Sequence, residues 1–228
     1  LAAPLAAAGL GRVTVSLDSL RDRRFGQING RGHRVARDLA GIEAARRAGL
    51  EPIKINAVVM RGYNDDEVLD LAAFGREQGC TVRFIEYMDV GTRNGWDPRR
   101  VVPSADLLRA IAERYPLHPL APSAPGEVAR RYGYDDGAGE VGFISSVSQP
   151  FCGGCTRARL SADGRLYACL FAADGLDLRG PMRDGAGDEA VLDLLESAWR
   201  RREDRYSEER SRRSQEARSR VEMYYIGG

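Results

Sequence analysis

Three repeats of a strand-like segment followed by a helix-like one, between residues 12 and 115, constrain this chain more than any other feature. RVTVSLD (12–18) is rich in β-branched residues, and RVARDLAGIEAARRAGL (34–50) follows with apolar residues at helical spacing and a stop at Gly49. IKINAVV (53–59) reads as a second strand. DDEVLDLAAFGREQG (65–79) reads as a helix whose acidic first turn suits the helix dipole. TVRFIEYM (81–88) and PSADLLRAIAERY (103–115) form the third pair. Units of this kind indicate a parallel sheet or barrel. Three of them cannot close a barrel, so the domain is either a small open sheet or one whose earlier units lie outside this chain. A start without Met, in LAAPLAAAGLGR, which reads as the end of a helix, favours the second.

In a fully covered parallel sheet the strands are nearly all apolar. Here Thr14, Ser16 and Asp18 share one face, as do Lys54 and Asn56, while Val13, Val15 and Leu17, then Ile53, Ile55 and Ala57, fill the other. On the third strand Val82, Phe84, Glu86 and Met88 share a face. Polar groups near strand ends suit the mouth of a ligand-binding barrel, with a solvated edge strand as the competing reading.

After residue 116 the rhythm changes. Pro116, Pro119, Pro122 and Pro125 mark a linker. EVARRYGY and GEVGFISS read as short strands around a Gly/Asp turn, and ARLSADGRLYACLF (158–171) as a hairpin turning at Asp163-Gly164. DEAVLDLLESAWRRRE is an amphipathic helix. The division expected is 1–116 for the α/β part and 117–228 for an α+β part.

Net charge is +1, which gives no global attraction to nucleic acid or acidic membranes. Residues 200–220 hold nine Arg against five acidic residues, but the signs are interspersed without an aromatic ladder, so a solvated helix is expected there. No apolar stretch approaches the ~18 residues of a membrane span. A cytoplasmic chain is expected. Of 34 basic residues only Lys54 is Lys, which points to a site where a compact ammonium matters.

Three of the four cysteines form Cys152-x2-Cys155-x13-Cys169, with Cys80 elsewhere. In a cytoplasmic chain this spacing argues for a metal rather than a disulfide, with inert buried thiols as the alternative. Structural zinc takes four protein ligands, and no nearby His or Cys supplies a convincing fourth. Three thiolates suit a [4Fe–4S] cluster with one iron left open. Arg157 and Arg159, two apart beside the second Cys, share a face if extended and offer paired donors to a polyanion, the alternative being solvated surface Arg.

Taken together, FCGGCTRARLSADGRLYACLF, RVTVSLDSL, IKINAVVMRGYND, FIEYMDVG and the terminal Gly-Gly resemble the GTP 3′,8-cyclase family, radical S-adenosylmethionine (SAM) enzymes that open molybdenum cofactor biosynthesis. The resemblance covers nearly the whole chain. It implies the C-terminal portion of an incomplete parallel (β/α) barrel followed by an α+β iron–sulfur domain. It implies that Cys152, Cys155 and Cys169 hold an auxiliary [4Fe–4S] cluster whose open iron binds guanine. Arg157, Ala158 and Arg159 match a GTP-contacting run, with the two Arg at the triphosphate or in catalysis, and Lys54 matches another GTP contact. Ser16 and Met88 match SAM contacts. Gly227 and Gly228 match a terminal pair that reaches into the active site, where a missing Cβ permits close backbone approach.

In the family's reaction a first [4Fe–4S] cluster cleaves SAM reductively, and the deoxyadenosyl radical removes the ribose 3′ hydrogen of GTP, whose carbon radical then attacks C8 of guanine. GTP, SAM, a reductant and a downstream cyclic pyranopterin monophosphate synthase are the partners implied, with a homodimer left open. The Cys-x3-Cys-x2-Cys motif that binds the first cluster is absent from these 228 residues, and Cys80 alone cannot replace it. Three barrel strands and an amino-terminal Arg contact are missing with it. The expectation is a fragment of a longer enzyme, without cyclase activity of its own. Competing readings are another radical SAM enzyme with an auxiliary cluster, such as a peptide-modifying one, and a non-catalytic metal-stapled binding module.

Overall fold

The structure, a computed structural model, describes residues 1–30, 32–92, 95–213 and 221–226. Two compact units emerge: Leu1–Tyr87 with Pro98–Gln149, and Met88–Asp97 with Pro150–Gly228. The boundary expected at 116/117 therefore falls inside the first unit. No helix among the described residues is long and apolar enough to cross a membrane.

The first unit runs α1 (Ala2–Ala7), β1 (Val13–Ser16), α2 (Asp22–Asn29), α3 (Val35–Arg47), β2 (Ile53–Val59), α4 (Val68–Glu77), β3 (Thr81–Glu86), α5 (Ser104–Arg114), β4 (Leu117–Pro119), β5 (Arg130–Tyr134) and β6 (Glu140–Ile144). Its open sheet has the order β1-β2-β3-β6-β5-β4. Strands β1, β2, β3 and β6 are parallel, while β5 and β4 add antiparallel strands at the far edge. It is β6, hydrogen-bonded to β3, that draws residues beyond 116 into this unit.

Alternation along the strands sets the layers. Ile53, Ile55, Ala57 and Val59 of β2 are buried, with Val82 and Phe84 of β3 beside them. Helix α3 packs on β1 and β2, α4 on β3, and α5 on β3 and β6. The helices bury positions at helical spacing: Ile42 and Ala45, Val68, Leu71 and Ala72, then Leu107 and Ile111. Each large aliphatic buried in this way stabilises the fold by about 1.5–3 kcal/mol. Helix α4 approaches β3 so closely that a Cβ on Gly75 would stand 2.5 Å from Val82 Cγ2. The register also places Val82, Phe84 and Glu86 on the core face, opposite the face of Lys54 and Asn56.

Glu86, fully buried at the end of β3, is satisfied by its neighbours. One oxygen accepts from Ser104 N–H at the start of α5, the other from Val147 and Ser148 N–H, each at 2.8 Å, and the Ser148 hydroxyl also donates. Asn64 ties two strand ends together: its amide donates to the Asp18 and Val58 carbonyls and its oxygen accepts from Met60 N–H. Helix α2 has no counterpart in the apolar periodicity, because only Phe25 of its eight residues is buried.

The second unit holds β7 (Arg159–Leu160), β8 (Arg165–Tyr167) and β9 (Leu176–Asp177) in one antiparallel sheet, with α6 (Arg179–Arg183), α7 (Asp188–Arg200) and α8 (Tyr206–Arg213). The β7–β8 turn is the expected one, with Gly164 at φ +83 as such a turn requires. The segment expected as a solvated helix after residue 200 has a buried side: Arg201, Glu203, Arg205 and Glu208 are exposed, but Tyr206 and Arg210 are not. Tyr206 and Arg210 are each 6% exposed, because Asp89 takes both: Tyr206 OH donates to Oδ2 at 2.5 Å and Arg210 Nε to Oδ1 at 2.8 Å.

Candidate functional site

In the first unit the polar face of the sheet carries the candidate residues. Register pairs Thr14 with Lys54 and Ser16 with Asn56, then Lys54 with Thr81 and Asn56 with Arg83. Ser16 is exposed at the end of β1, and Lys54 is half-buried on β2. Between them lies a residue that sequence reasoning missed. Arg83 donates from Nε to Asn56 Oδ1 at 2.8 Å and from Nη2 to Thr14 Oγ1 at 3.4 Å. Burial lowers its pKa from the usual arginine value, an effect that Glu127 opposes. Its signal was available, since Arg83 alternates with the apolar Val82 and Phe84 and so must face the other way. Asp18, beyond β1, is pushed up to about 6 by burial, against a hydrogen bond from Val58 N–H at 2.8 Å.

The second unit carries the thiols, the Arg pair and Met88. Met88 is half-buried, two residues past the end of β3. Cys152–Gly154 forms a knuckle, a single 3-10 turn closed by Cys155 N–H on the Cys152 carbonyl at 3.2 Å. All three cysteines are free and half-buried. N–H groups aim at two of the sulfurs: Phe171 N–H at Cys169 Sγ and Arg157 Nε at Cys155 Sγ, both at 3.4 Å. Burial pushes the Cys155 thiol up, but hydrogen bonds from Arg157 N–H and from the Arg202 and Arg157 guanidiniums outweigh it, leaving about 7. Burial dominates at Cys169 and raises it. Among the described residues no three His, Cys, Asp or Glu side chains already stand as a metal cage. The donor chemistry nonetheless suits a thiolate-bound metal, because N–H groups directed at sulfur favour its anionic form.

Arg157, Ala158, Arg159 and Leu160 line a cleft of about 280 Å³ with Ile226. The Arg159 guanidinium lies below its usual value, first through burial and then through repulsion from Arg157, with Cys169 opposing. Among the described residues neither Arg makes an ion pair with a carboxylate. Ile226 is 1% exposed, the last described residue of a 3-10 turn Met223–Ile226 that Tyr225 pins by donating to Asp163 at 2.6 Å. Gly227 and Gly228 lie outside the described residues. Cys80 is buried in the first unit against Arg46.

Two family models match the chain: Radical SAM superfamily over residues 1–75 and Molybdenum Cofactor Synthesis C over residues 80–208. A GTP 3′,8-cyclase of Acidothermus cellulolyticus is 47% identical over 251 aligned positions, covering all of this chain and 69% of the relative. One of Xanthomonas campestris pv. campestris is 50% identical over 227 residues, covering all of this chain and 66% of the relative. One of Synechococcus is 46% identical, covering 98% of this chain and 66% of the relative. The chain thus spans about two thirds of the length of the curated relatives it matches. With both models matched in the order the strand and cysteine segments run, the chain belongs to the GTP 3′,8-cyclase family of radical SAM proteins.

Proposed function

We propose that this chain is the substrate-holding part of a GTP 3′,8-cyclase, the enzyme that converts GTP to 3′,8-cyclo-7,8-dihydroguanosine 5′-triphosphate in molybdenum cofactor biosynthesis. The observation that carries the reading is the Arg157–Arg159 pair. Two guanidiniums that repel each other, neither paired with a carboxylate among the described residues, line a cleft beside the cysteine knuckle. Such a pair lowers its own repulsion by taking a polyanion, and guanidinium offers paired donors to phosphate oxygens.

Cys152, Cys155 and Cys169 would hold a [4Fe–4S] cluster, and when bound it supplies an iron with a position open to the purine. The chain's own residues do the holding. Arg157, Ala158 and Arg159 take the triphosphate side, and Lys54 and Arg83 offer further cations from the sheet. Ser16 and Met88 meet SAM, and Gly227 and Gly228, outside the described residues, are the terminal pair assigned to the active site. Fixing two substrates in register is the protein's share of a reaction whose chemistry resides in its cofactors. These residues include no Cys-x3-Cys-x2-Cys set, so the chain by itself reduces no SAM and turns over no GTP. The first cluster is expected only in the full-length enzyme, a partial (β/α) barrel joined to the auxiliary domain, where a reductant would feed it.

Anaerobic reconstitution of the chain tests this reading. Expected are iron and sulfide in equal amounts, an EPR signal that GTP perturbs, loss of iron in Cys152→Ser, and no product with SAM and dithionite. Zinc in place of iron, or a signal indifferent to GTP, overturns the substrate site. Turnover by the chain alone overturns its assignment as a part.

A further inference from the structure

The segment 202–210 reaches the neighbourhood of every cysteine of the triplet, each through a different residue. Arg202, its side chain 10% exposed, donates from Nη1 to the Cys155 carbonyl at 2.6 Å. Glu208 accepts from Gly153 N–H at 3.3 Å, one residue past Cys152. The Tyr206 ring stacks on Phe171, with centroids 4.5 Å apart and planes 20° apart, and the N–H of Phe171 is the donor to Cys169 Sγ. The segment is itself anchored, because Tyr206 and Arg210 both end on buried Asp89.

We infer that residues 202–210 are a clamp that positions the three cysteines, with Arg202 assigned to Cys155, Glu208 to Cys152 and Tyr206 to Cys169. The inference rests on the reading of this triplet as the cluster-binding set. Its physical basis is economy of ordering. The 3-10 turn at Cys152–Gly154 contains two glycines and no buried residue, and the Cys169 loop lacks regular structure, so neither is rigid by its own local preference. A short, well-anchored helix segment that grips both removes much of the entropy that metal capture would otherwise have to remove. Partners that act through a ligand in this way characteristically change metal retention by about 10–100-fold.

The test reads each thiol separately. In the metal-free chain, iodoacetamide labelling followed by mass spectrometry gives a rate for each cysteine, with Cys80 of the first unit as internal control. Labelled at a pH well above the thiol range, where every thiol is ionised and the rate reads access alone, Arg202→Ala should change Cys155 several-fold relative to the other two, Glu208→Ala should change Cys152, and Tyr206→Ala should change Cys169. Arg200→Ala, which removes an exposed partner of Glu196 on α7, should change none of them. A merely structural role would change all three thiols together or none, and either result overturns the clamp. Where an alanine variant unfolds the second unit, Arg202→Met and Glu208→Met keep much of the volume without the hydrogen-bonding atoms and decide by the same criterion. In the reconstituted chain the same variants should lose iron to a chelator about tenfold faster. A wild-type chain that takes up no iron overturns the cluster reading, while the labelling pattern still decides the clamp.

Discussion

Arg210 and Asp89, 121 residues apart, form an ion pair at 2.8 Å in which the side chains are only 7% and 1% exposed. Tyr206 donates to the second carboxylate oxygen, and the Arg210 guanidinium lies 5.3 Å from the Phe171 ring centroid. One carboxylate thus joins the 88–97 segment to α8 inside the second unit. Asp89→Ala leaves a buried guanidinium without its carboxylate, which costs about 3–5 kcal/mol. Both tryptophans, Trp96 and Trp199, belong to this unit, so the midpoint of a denaturant titration followed by tryptophan fluorescence measures the loss directly. Far-UV circular dichroism, to which the first unit contributes, should shift less.

Glu86 anchors the end of β3 to the start of α5 and to residues 147–148. Glu86→Gln replaces an acceptor by an NH2 group that faces N–H donors, leaving at least one buried amide unsatisfied. A loss of about 1–3 kcal/mol follows, read from urea unfolding by circular dichroism. A change under about 0.5 kcal/mol would show that the carboxylate is not what holds these elements.

Asp18 gives the first unit a pH dependence of definite sign. Below 3.8 both the folded and unfolded chains hold its proton. Between 3.8 and about 6 only the folded chain does, so this group's contribution makes stability fall as pH rises through that interval, and its full penalty stands above about 6. Asp18→Asn keeps an oxygen to accept from Val58 N–H and never ionises. It should stabilise the protein at pH 7.5 and remove part of the slope between pH 4 and 6. Parallel stability curves for the two proteins across that range would refute the assignment.

Lys54 and Arg83 face the same side of the sheet, and burial already lowers the Arg83 pKa, which makes an anionic ligand there favourable. Removing a charged hydrogen bond to phosphate costs about 1.5–3 kcal/mol. Lys54→Met and Arg83→Met should therefore each weaken GTP binding to the reconstituted chain by roughly 10–100-fold. Calorimetry or the GTP effect on the EPR signal measures this. Arg131→Met, on β5 and paired with Glu140, is the control that should leave affinity unchanged.

What the sequence by itself determined is whatever local periodicity and spacing can carry. The second strand coincides with its expected residues at Ile53–Val59, and the helix read at 34–50 appears as Val35–Arg47, because alternation at two and spacing near 3.6 are properties of neighbouring residues. The knuckle at Cys152–Gly154, the turn at Gly164 and the family resemblance were legible for the same reason. Only the tertiary structure decided the rest. That β6 lies beside β3, placing residues 117–149 in the first unit, depends on hydrogen bonds between strands nearly 60 residues apart. That Arg83 stands opposite Asn56, within reach of Thr14, depends on strand register. That an Arg-rich segment after residue 200 is built into its unit depends on partners distant in sequence, among them the carboxylate of Asp89, more than 110 residues away. Composition marked that segment as solvated, and burial beside Asp89 overrules this at Arg210, because a guanidinium enters a protein interior only where an opposite charge has been placed to meet it.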